Sequence, residues 1–371
     1  MSLLFSPLRL REVTLRNRIA ISPMSQYSAV EGRAGDWHLV SLGARAAGGA
    51  GLVMVEATAV SPEGRATLGD TGLWEDGQIE PLARVAAFIR SMGAVPGIQL
   101  QHSGTKACTS PPWEGGAHLA EDNPEAWEIC GPTEAPFGGA LTRKPRALDG
   151  AGIAQVRSDF ADAARRAARA GFELVQIHAA HGYLVQSFLS PLSNRRTDEH
   201  GGSAENRARL LLDVVEGVRT AWPAGLPLSV RLGVSDFHEE GVQFAESLAL
   251  AQRLRAAGVD LLDVSIAFSG PVRADVPWDT PAFMAPMAAE LRAATGIATA
   301  MSWAVDNPED AERVLAEGSV DLVMLARSSL ADPNWPLRAA IALGEQDPSS
   351  VLPIQHGYWL KRWLGGSRVL R

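Results

Sequence analysis

Cysteine is nearly absent: Cys108 and Cys130 are the only two in 371 residues. Two thiols cannot hold an iron–sulfur cluster or a structural zinc knuckle. A disulfide between them is not expected, because the opening segment Met1-Ser2-Leu3-Leu4-Phe5-Ser6-Pro7 lacks the basic stretch and long apolar run of a secretory signal. A cytoplasmic location is the expectation. No apolar run reaches the length of a membrane span. No basic run or stripe occurs either, and with a net charge of -8 and a pI of about 5.6 the chain is a poor match for nucleic acid or an anionic membrane. Lysine is scarce, with Lys106, Lys144 and Lys361 all outside strand-like runs, which removes Schiff-base aldolase chemistry. No G-x-G-x-x-G follows the first strand-like run, which argues against a doubly wound dinucleotide fold.

What is present is an ordinary globular balance, 46% hydrophobic and 20% charged. The length would allow two domains, but α/β barrels of this size are single domains, and residues 1–371 are read as one. Leu8-Leu10 and Val13-Leu15 alternate apolar and polar residues around Arg11-Glu12 and predict a small hairpin. Eight short apolar runs follow, over 18–23, 51–57, 95–100, 172–178, 226–232, 261–266, 298–302 and 321–325. Helical periodicity predicts helices over 36–48, 78–92, 150–170 (capped by Asp149), a segment after the cap Ser203, 243–257, 281–295, 307–317 and 328–343. Eight alternating units predict an α/β fold, a single (β/α)8 TIM barrel spanning about 17–345, whose site lies at the C-terminal strand ends. A Gly-, Pro- and Trp-rich insertion over 103–148 is read as a flap over the barrel mouth, and 346–371 as a tail.

Polar residues at those strand ends should then share one site. The densest cluster is Ile177-His178-Ala179-Ala180-His181-Gly182-Tyr183. Buried polar rings need hydrogen-bond partners, so a cluster of them marks a place where something polar is held. The pair His178 and His181 has three readings: core histidines satisfied internally, ligands of a shared metal ion, or donors to a substrate oxygen with Tyr183 as the acid. On a strand, positions three apart face opposite ways, so a shared ligand requires a turn after His178. Ser25 and Tyr27, Glu56, Gln99, Arg231, Ser302 with Trp303, and Arg327 sit at other strand ends. Arg231 is a lone charge in an apolar run and needs an anionic partner, either a ligand or Glu56 or Asp263. Arg327 lies where barrels often bind phosphate. Gln99 can read a heterocycle edge bearing both a donor and an acceptor. Trp303 and Trp113 are core residues by default. The set suits a flat heterocycle with a phosphate tail.

The segment His178-Ala179-Ala180-His181-Gly182-Tyr183-Leu184, then Ser190-Pro191, Asn194, Arg196-Thr197-Asp198, Gly201-Gly202-Ser203 and Glu205-Asn206-Arg207, resembles the old yellow enzyme family of FMN-dependent ene reductases. Pro23-Met24, Gln26-Tyr27, Glu56-Ala57-Thr58 and Gln99 support it, and the bacterial xenobiotic reductase and thermophilic-like branch is the nearest match. The resemblance implies FMN contacts from Pro23, Met24, Ser25, Ala57, Gln99, Arg231, Ser302, Trp303, Ala326 and Arg327. It implies that His178 and His181 hold the substrate's activating oxygen, that Tyr183 donates the proton, and that Tyr27 and Trp303 line the substrate face. It also implies an aromatic from a neighbouring subunit, placed at Trp359, and hence a homodimer or homotetramer. The implied reaction takes hydride from NADPH or NADH through FMN to an activated alkene. Three departures stand out: Ser25 where the branch has Cys, Ala304-Val305-Asp306 and Ala326 where glycines are usual, and Thr105 and His200 where Arg and Tyr are usual. The alternatives are a metal-dependent barrel hydrolase using His178 and His181, and a flavin-free barrel acting as a binding protein.

Overall fold

The computed structural model describes residues 2–270, 276–278, 280–303 and 305–366. The two short alternating runs near the start pair antiparallel as β1 (Leu8–Leu10) and β2 (Val13–Leu15), turning at Arg11 with φ +49°. All eight predicted runs are strands: β3 (Ile19–Ile21), β4 (Leu52–Ala59), β5 (Val95–Gln101), then, after the two-residue strands β6 (Cys130–Gly131) and β7 (Arg146–Ala147), β8 (Leu174–Ala179), β9 (Leu228–Gly233), β10 (Leu261–Ser265), β11 (Ala298–Met301) and β12 (Leu322–Leu325). They close in the order β10-β11-β12-β3-β4-β5-β8-β9, each pair parallel. This is the expected (β/α)8 barrel. Its strands are buried on both faces, which is why they read as near-continuous apolar runs rather than alternating ones.

The hairpin plugs the barrel's N-terminal end. Leu8, Leu10, Val13 and Leu15 pack with Ala20, Leu52, Met54, Leu174, Leu261, Ala300, Leu322 and Met324, the inward residues near the strand starts. A second and larger core lies between the strands and the surrounding helices, including Phe160, Phe172, Phe188, Leu210 and Trp335. Those helices are α1 (Asp36–Ala47), α2 (Ile79–Ser91), α3 (Gly150–Arg169), α4 (Leu184–Leu189), α5 (Ala204–Arg207), α6 (Arg209–Ala221), α7 (Phe244–Ala256), α8 (Ala285–Thr295), α9 (Pro308–Ala316), α10 (Arg327–Ala331), α11 (Trp335–Ala342) and α12 (Ile354–Gly366). Asp149 and Ser203 cap their helices as read, accepting from the backbone N–H of Gly152 and Asn206. No helix among the described residues is long and apolar enough to cross a membrane.

The structure corrects several boundaries. The helix expected over 328–343 is two helices, α10 and α11, because Pro333 cannot continue the first. The helix expected from 281 starts at Ala285, with Pro286 in its first turn. The tail is not featureless: a 3-10 turn at Pro348–Val351 leads into α12. The insertion carries its own small structure, with β6 paired to β7 and a buried cluster of Ala107, Cys108 and Ile129. Trp113, read as core, is 67% exposed and lies edge-on to Tyr27 with ring centroids 5.6 Å apart. Both cysteines are free.

Candidate active site

Strand register builds the site. In parallel pairing Gln99 lies beside Gln176, Gln176 beside Ser229, His178 beside Arg231, and Arg231 beside Asp263. With a period of two, Gln176 and His178, Ser229 and Arg231, and Asp263 and Ser265 share one face of their strands. Barrel interiors are normally filled by branched aliphatics. Here the C-terminal half is polar, and its hydrogen bonds run in a chain. Gln99 Nε2 donates to Gln176 Oε1 at 2.7 Å, and Gln176 Nε2 donates to Ser229 Oγ at 3.2 Å and to Asp263 Oδ2 at 3.4 Å. Asp263 Oδ2 lies 3.3 Å from Arg231 Nε, and Arg231 donates to Ser302 Oγ at 3.1 Å. Of the two partners open for Arg231, Asp263 is therefore the one in place. Glu56 is engaged elsewhere, by Thr71 Oγ1 at 2.7 Å, the Gln26 N–H at 2.6 Å and His38 at 3.2 Å.

The turn required after His178 is present. His181 and Gly182 both adopt left-handed backbone, φ +61° and +72°, and swing the second imidazole back beside the first. Gly182 is needed twice over, since a Cβ there would lie 2.3 Å from the Phe268 carbonyl oxygen. The rings of His178 and His181 are 5.0 Å apart and nearly perpendicular, and Tyr183 lies 4.9 Å from His178. The Ala180 N–H donates to His178 Nδ1 at 3.3 Å, which leaves the proton of the neutral ring on Nε2. His181 Nε2 is 2.8 Å from Ser265 Oγ. Burial first, then the positive charges of Arg231 and Lys106, hold both imidazoles well below their usual range, so each is neutral and carries one N–H. Burial also raises the Tyr183 phenol, with Tyr27 and Asp70 adding to the shift, and so keeps its proton in place. Lys106, lowered to about 8 by burial, donates to the His181 carbonyl at 2.9 Å and sits 4.9 Å over the Tyr183 ring. Burial, with Asp70 and Glu56 nearby, pushes Tyr27 up to about 12.

A cavity of about 700 Å³ opens at the mouth, lined by Ser22, Pro23, His181, Arg231, Trp278, Phe283, Ser302, Trp303, Asp306, Ala326 and Arg327. It gathers seven of the residues expected from sequence: Pro23, His181, Arg231, Ser302, Trp303, Ala326 and Arg327. His178 and Tyr183 are not on its wall but lie beside His181, with His178 in ring contact with both His181 and Tyr183. Met24 instead lines a small neighbouring cavity with Gln26, His38 and Glu56. Ser25, Ala57, Gln99 and Tyr27 are not on the large cavity's wall. Trp359 is 68% exposed on α12, in contact with Tyr358. Ala304 lies outside the described residues. Sequence reasoning missed an aromatic wall: Trp278 stacks on Phe268 at 5.9 Å and packs 5.5 Å from Trp303, with Phe283 6.2 Å from the same indole. It also missed Ser265, which accepts from Trp303 Nε1 at 3.0 Å.

The donor set gives the metal reading no support. Among the described residues no third His, Cys, Asp or Glu comes within ligand distance of both imidazoles, and the one such cluster is the mostly exposed Asp198, Glu199 and His200.

The model of the NADH:flavin oxidoreductase / NADH oxidase family matches residues 3–346. The chain belongs to that family, the old yellow enzymes. It is similar to an NADPH dehydrogenase of Geobacillus sp. (strain WCH70), 40% identical over 94% of this chain and 97% of that protein. It is equally similar to an NADH:flavin oxidoreductase of Gibberella zeae, 40% identical over 92% of this chain and 86% of that one. Among solved structures, morphinone reductase superposes with a TM-score of 0.77 at 28% identity, covering 94% of this chain and 93% of that one. A 2-naphthoyl-CoA reductase complex superposes with a TM-score of 0.82 at 27% identity, over 94% of this chain and 53% of that longer one.

Like other old yellow enzymes, the chain is an oxidoreductase with FMN as its prosthetic group. Its mouth fits that group. Arg231 Nε lies 3.3 Å from Asp263 Oδ2 but is not aligned to donate to it, and Arg327 forms no ion pair with an acid among the described residues. The cavity wall thus carries two guanidinium groups, one held beside Asp263 and one without an acidic partner among the described residues. Asp306, one of the residues standing where glycines are usual, is on the same wall and adds a negative charge to it.

Proposed function

We propose that this old yellow enzyme is an ene reductase, taking hydride from NADPH or NADH and reducing an activated alkene, an α,β-unsaturated carbonyl or nitro compound. The observation that carries the reading is the pair of neutral imidazoles, His178 and His181, turned to one side beside the Tyr183 phenol. FMN, when bound, supplies the hydride transfer from nicotinamide to the alkene's β-carbon. Pro23, Arg231, Ser302, Trp303, Ala326 and Arg327, which line the cavity, would hold it, Arg231 at the pyrimidine edge and Arg327 at the phosphate, and Met24, Ser25, Ala57 and Gln99 would have to meet it from outside that wall. The relatives' names, NADPH dehydrogenase and NADH:flavin oxidoreductase, support a nicotinamide donor. So does a structural neighbour, morphinone reductase solved with tetrahydroNAD.

The chain's own residues do the rest. His178 and His181 each direct one N–H at the substrate oxygen, where negative charge grows as the β-carbon gains hydride. Neutral rings are suited to this, because their protons stay on the rings and stabilise charge by donation alone. Tyr183 keeps its proton until the α-carbon needs one and then delivers it. The ammonium of Lys106, 4.9 Å above the Tyr183 ring, stabilises the phenolate left behind. Trp303, Trp278 and Phe283 form an apolar wall that excludes water, and Tyr27 faces the substrate. A second copy supplies Trp359, whose helix α12 presents Ile354, Tyr358, Trp359 and Trp363 to the outside, in a homodimer or homotetramer.

Anaerobic rapid mixing tests the reading. Tyr183→Phe is expected to slow flavin reoxidation by cyclohexenone about 10²–10⁴-fold while leaving flavin reduction by NADPH nearly unchanged. Equal losses in both half-reactions would remove Tyr183 from the acid's role, and a wild-type flavin that cyclohexenone and a nitroalkene both fail to reoxidise would remove the activity.

A further inference from the structure

We propose that Ser265 is a positioning residue that sets the tautomer of His181, fixing its proton on Nδ1 so that this nitrogen donates to the substrate oxygen. The inference rests on the ene-reductase reading for its catalytic meaning, but not for its geometry. Ser265 ends β10 and is fully buried. Its hydroxyl has two neighbours among the described residues. One is Trp303 Nε1, 3.0 Å away, which can only donate. The other is His181 Nε2, 2.8 Å away. With the indole occupying an acceptor position, the hydroxyl hydrogen needs an acceptor, because a buried donor left unused is destabilising. The lone pair of an unprotonated His181 Nε2 is the acceptor within reach. The chain of donation therefore runs from Trp303 to Ser265 to His181 Nε2, and the single proton of the neutral ring falls on Nδ1.

The reverse arrangement is worse in two places. Were Nε2 to carry the proton, Ser265 would receive two donors and its own hydrogen would point at nothing. Nδ1 would then be a lone pair, which repels an oxygen gaining negative charge instead of stabilising it. Burial, with Arg231, His178 and Lys106 close by, keeps the ring from taking a second proton and so from escaping the choice. The Lys106 ammonium also holds the His181 carbonyl at 2.9 Å, so the residue is pinned from its backbone side as well. His178 reaches the same end by a different device. Its Nδ1 is filled by the Ala180 N–H, which leaves Nε2–H. The two rings are thus set in opposite tautomers, one by backbone and one by a side chain 84 residues away in sequence.

The test is long-range 15N–1H correlation NMR on oxidised holoenzyme labelled with 15N-histidine, with the His181 signals assigned by their loss in His181→Asn. Wild-type His181 is expected to show a protonated Nδ1 and a bare Nε2; a protonated Nε2 would overturn the proposal without any further variant. Ser265→Ala is expected to give a mixture of tautomers, and Ser265→Thr, which keeps the hydroxyl, to retain the wild-type signals. An unmixed Nδ1–H ring in Ser265→Ala would show that something other than Ser265 sets it. Phenol affinity is expected to fall a few-fold in Ser265→Ala and to recover in Ser265→Thr, a pattern that mere loosening of the fold would not give. Failure of wild-type holoenzyme to bind a phenol, with the tautomers as stated, counts against the ene-reductase reading and leaves this inference standing.

Discussion

Arg231 lies 3.3 Å from Asp263, a carboxylate with no exposure to solvent. The pair joins the barrel's structure to its site, because the arginine that faces the cavity is also the counter-charge of the interior. Burial drives the Asp263 carboxyl up, and Arg231 and Gln176 pull it back.

Removing the cation separates the two roles. Arg231→Met leaves Asp263 buried without its partner, a change that typically costs about 3–5 kcal/mol. A carboxyl raised further in the folded state is stabilising while protonated, and that contribution is lost as pH rises, since the unfolded chain gives up the proton above about pH 3.9. Arg231→Met is therefore expected to be weaker at pH 7 than at pH 5 in urea titrations. Arg231→Met with Asp263→Asn is expected to regain most of the stability yet still purify with little flavin. Full flavin occupancy in the double variant would mean that Arg231 serves the fold alone.

His102 gives a pH dependence of opposite sign. It is fully buried, accepts the Gly104 N–H at Nδ1, and is lowered from 6.5 to about 4 by burial. Below about pH 6.5 the unfolded chain takes a proton that the folded ring refuses, so stability drains between 6.5 and 4 at up to about 1.4 kcal/mol per pH unit. His102→Gln can still accept from Gly104 but does not titrate. The stability gap between wild type and this variant should close, or reverse, as pH falls from 7 to 4.5; a constant gap would show that the ring does not resist protonation.

Asp306 is the third case. It shares a wall with Arg327, the residue we propose for the flavin phosphate. An exposed like charge a few ångströms away opposes an anion by about 1 kcal/mol. Asp306→Asn is expected to tighten FMN about fivefold in apoprotein titrations at low salt, with the gain shrinking as salt is raised. No gain at any ionic strength would place the phosphate elsewhere.

The barrel was legible because parallel strands buried on both faces leave unbroken apolar runs, and all eight appeared within two residues of their places. The grouping of two imidazoles and a phenol at the fourth strand's end was legible because such a cluster after an apolar run has few structural uses. Other features left no such trace. Phe268, Trp278 and Phe283 follow no period in the sequence, and their grouping around Trp303 is purely tertiary. Ser265 is a small residue in a buried strand, indistinguishable by sequence from packing. Helix α12 was missed because its exposed aromatics and Gly357 give no core-facing stripe. The break before α11 was written in Pro333 and could have been read.

The central claim is that His178 and His181 face bound FMN from the mouth and hold an oxygen there. Titrating oxidised holoenzyme with a para-substituted phenol while recording its absorption spectrum tests this most directly. The account predicts a long-wavelength charge-transfer band that saturates in wild type and is absent in His178→Ala with His181→Ala, the flavin remaining bound in both. A band of equal strength in the double variant, or none in the wild type, would contradict it.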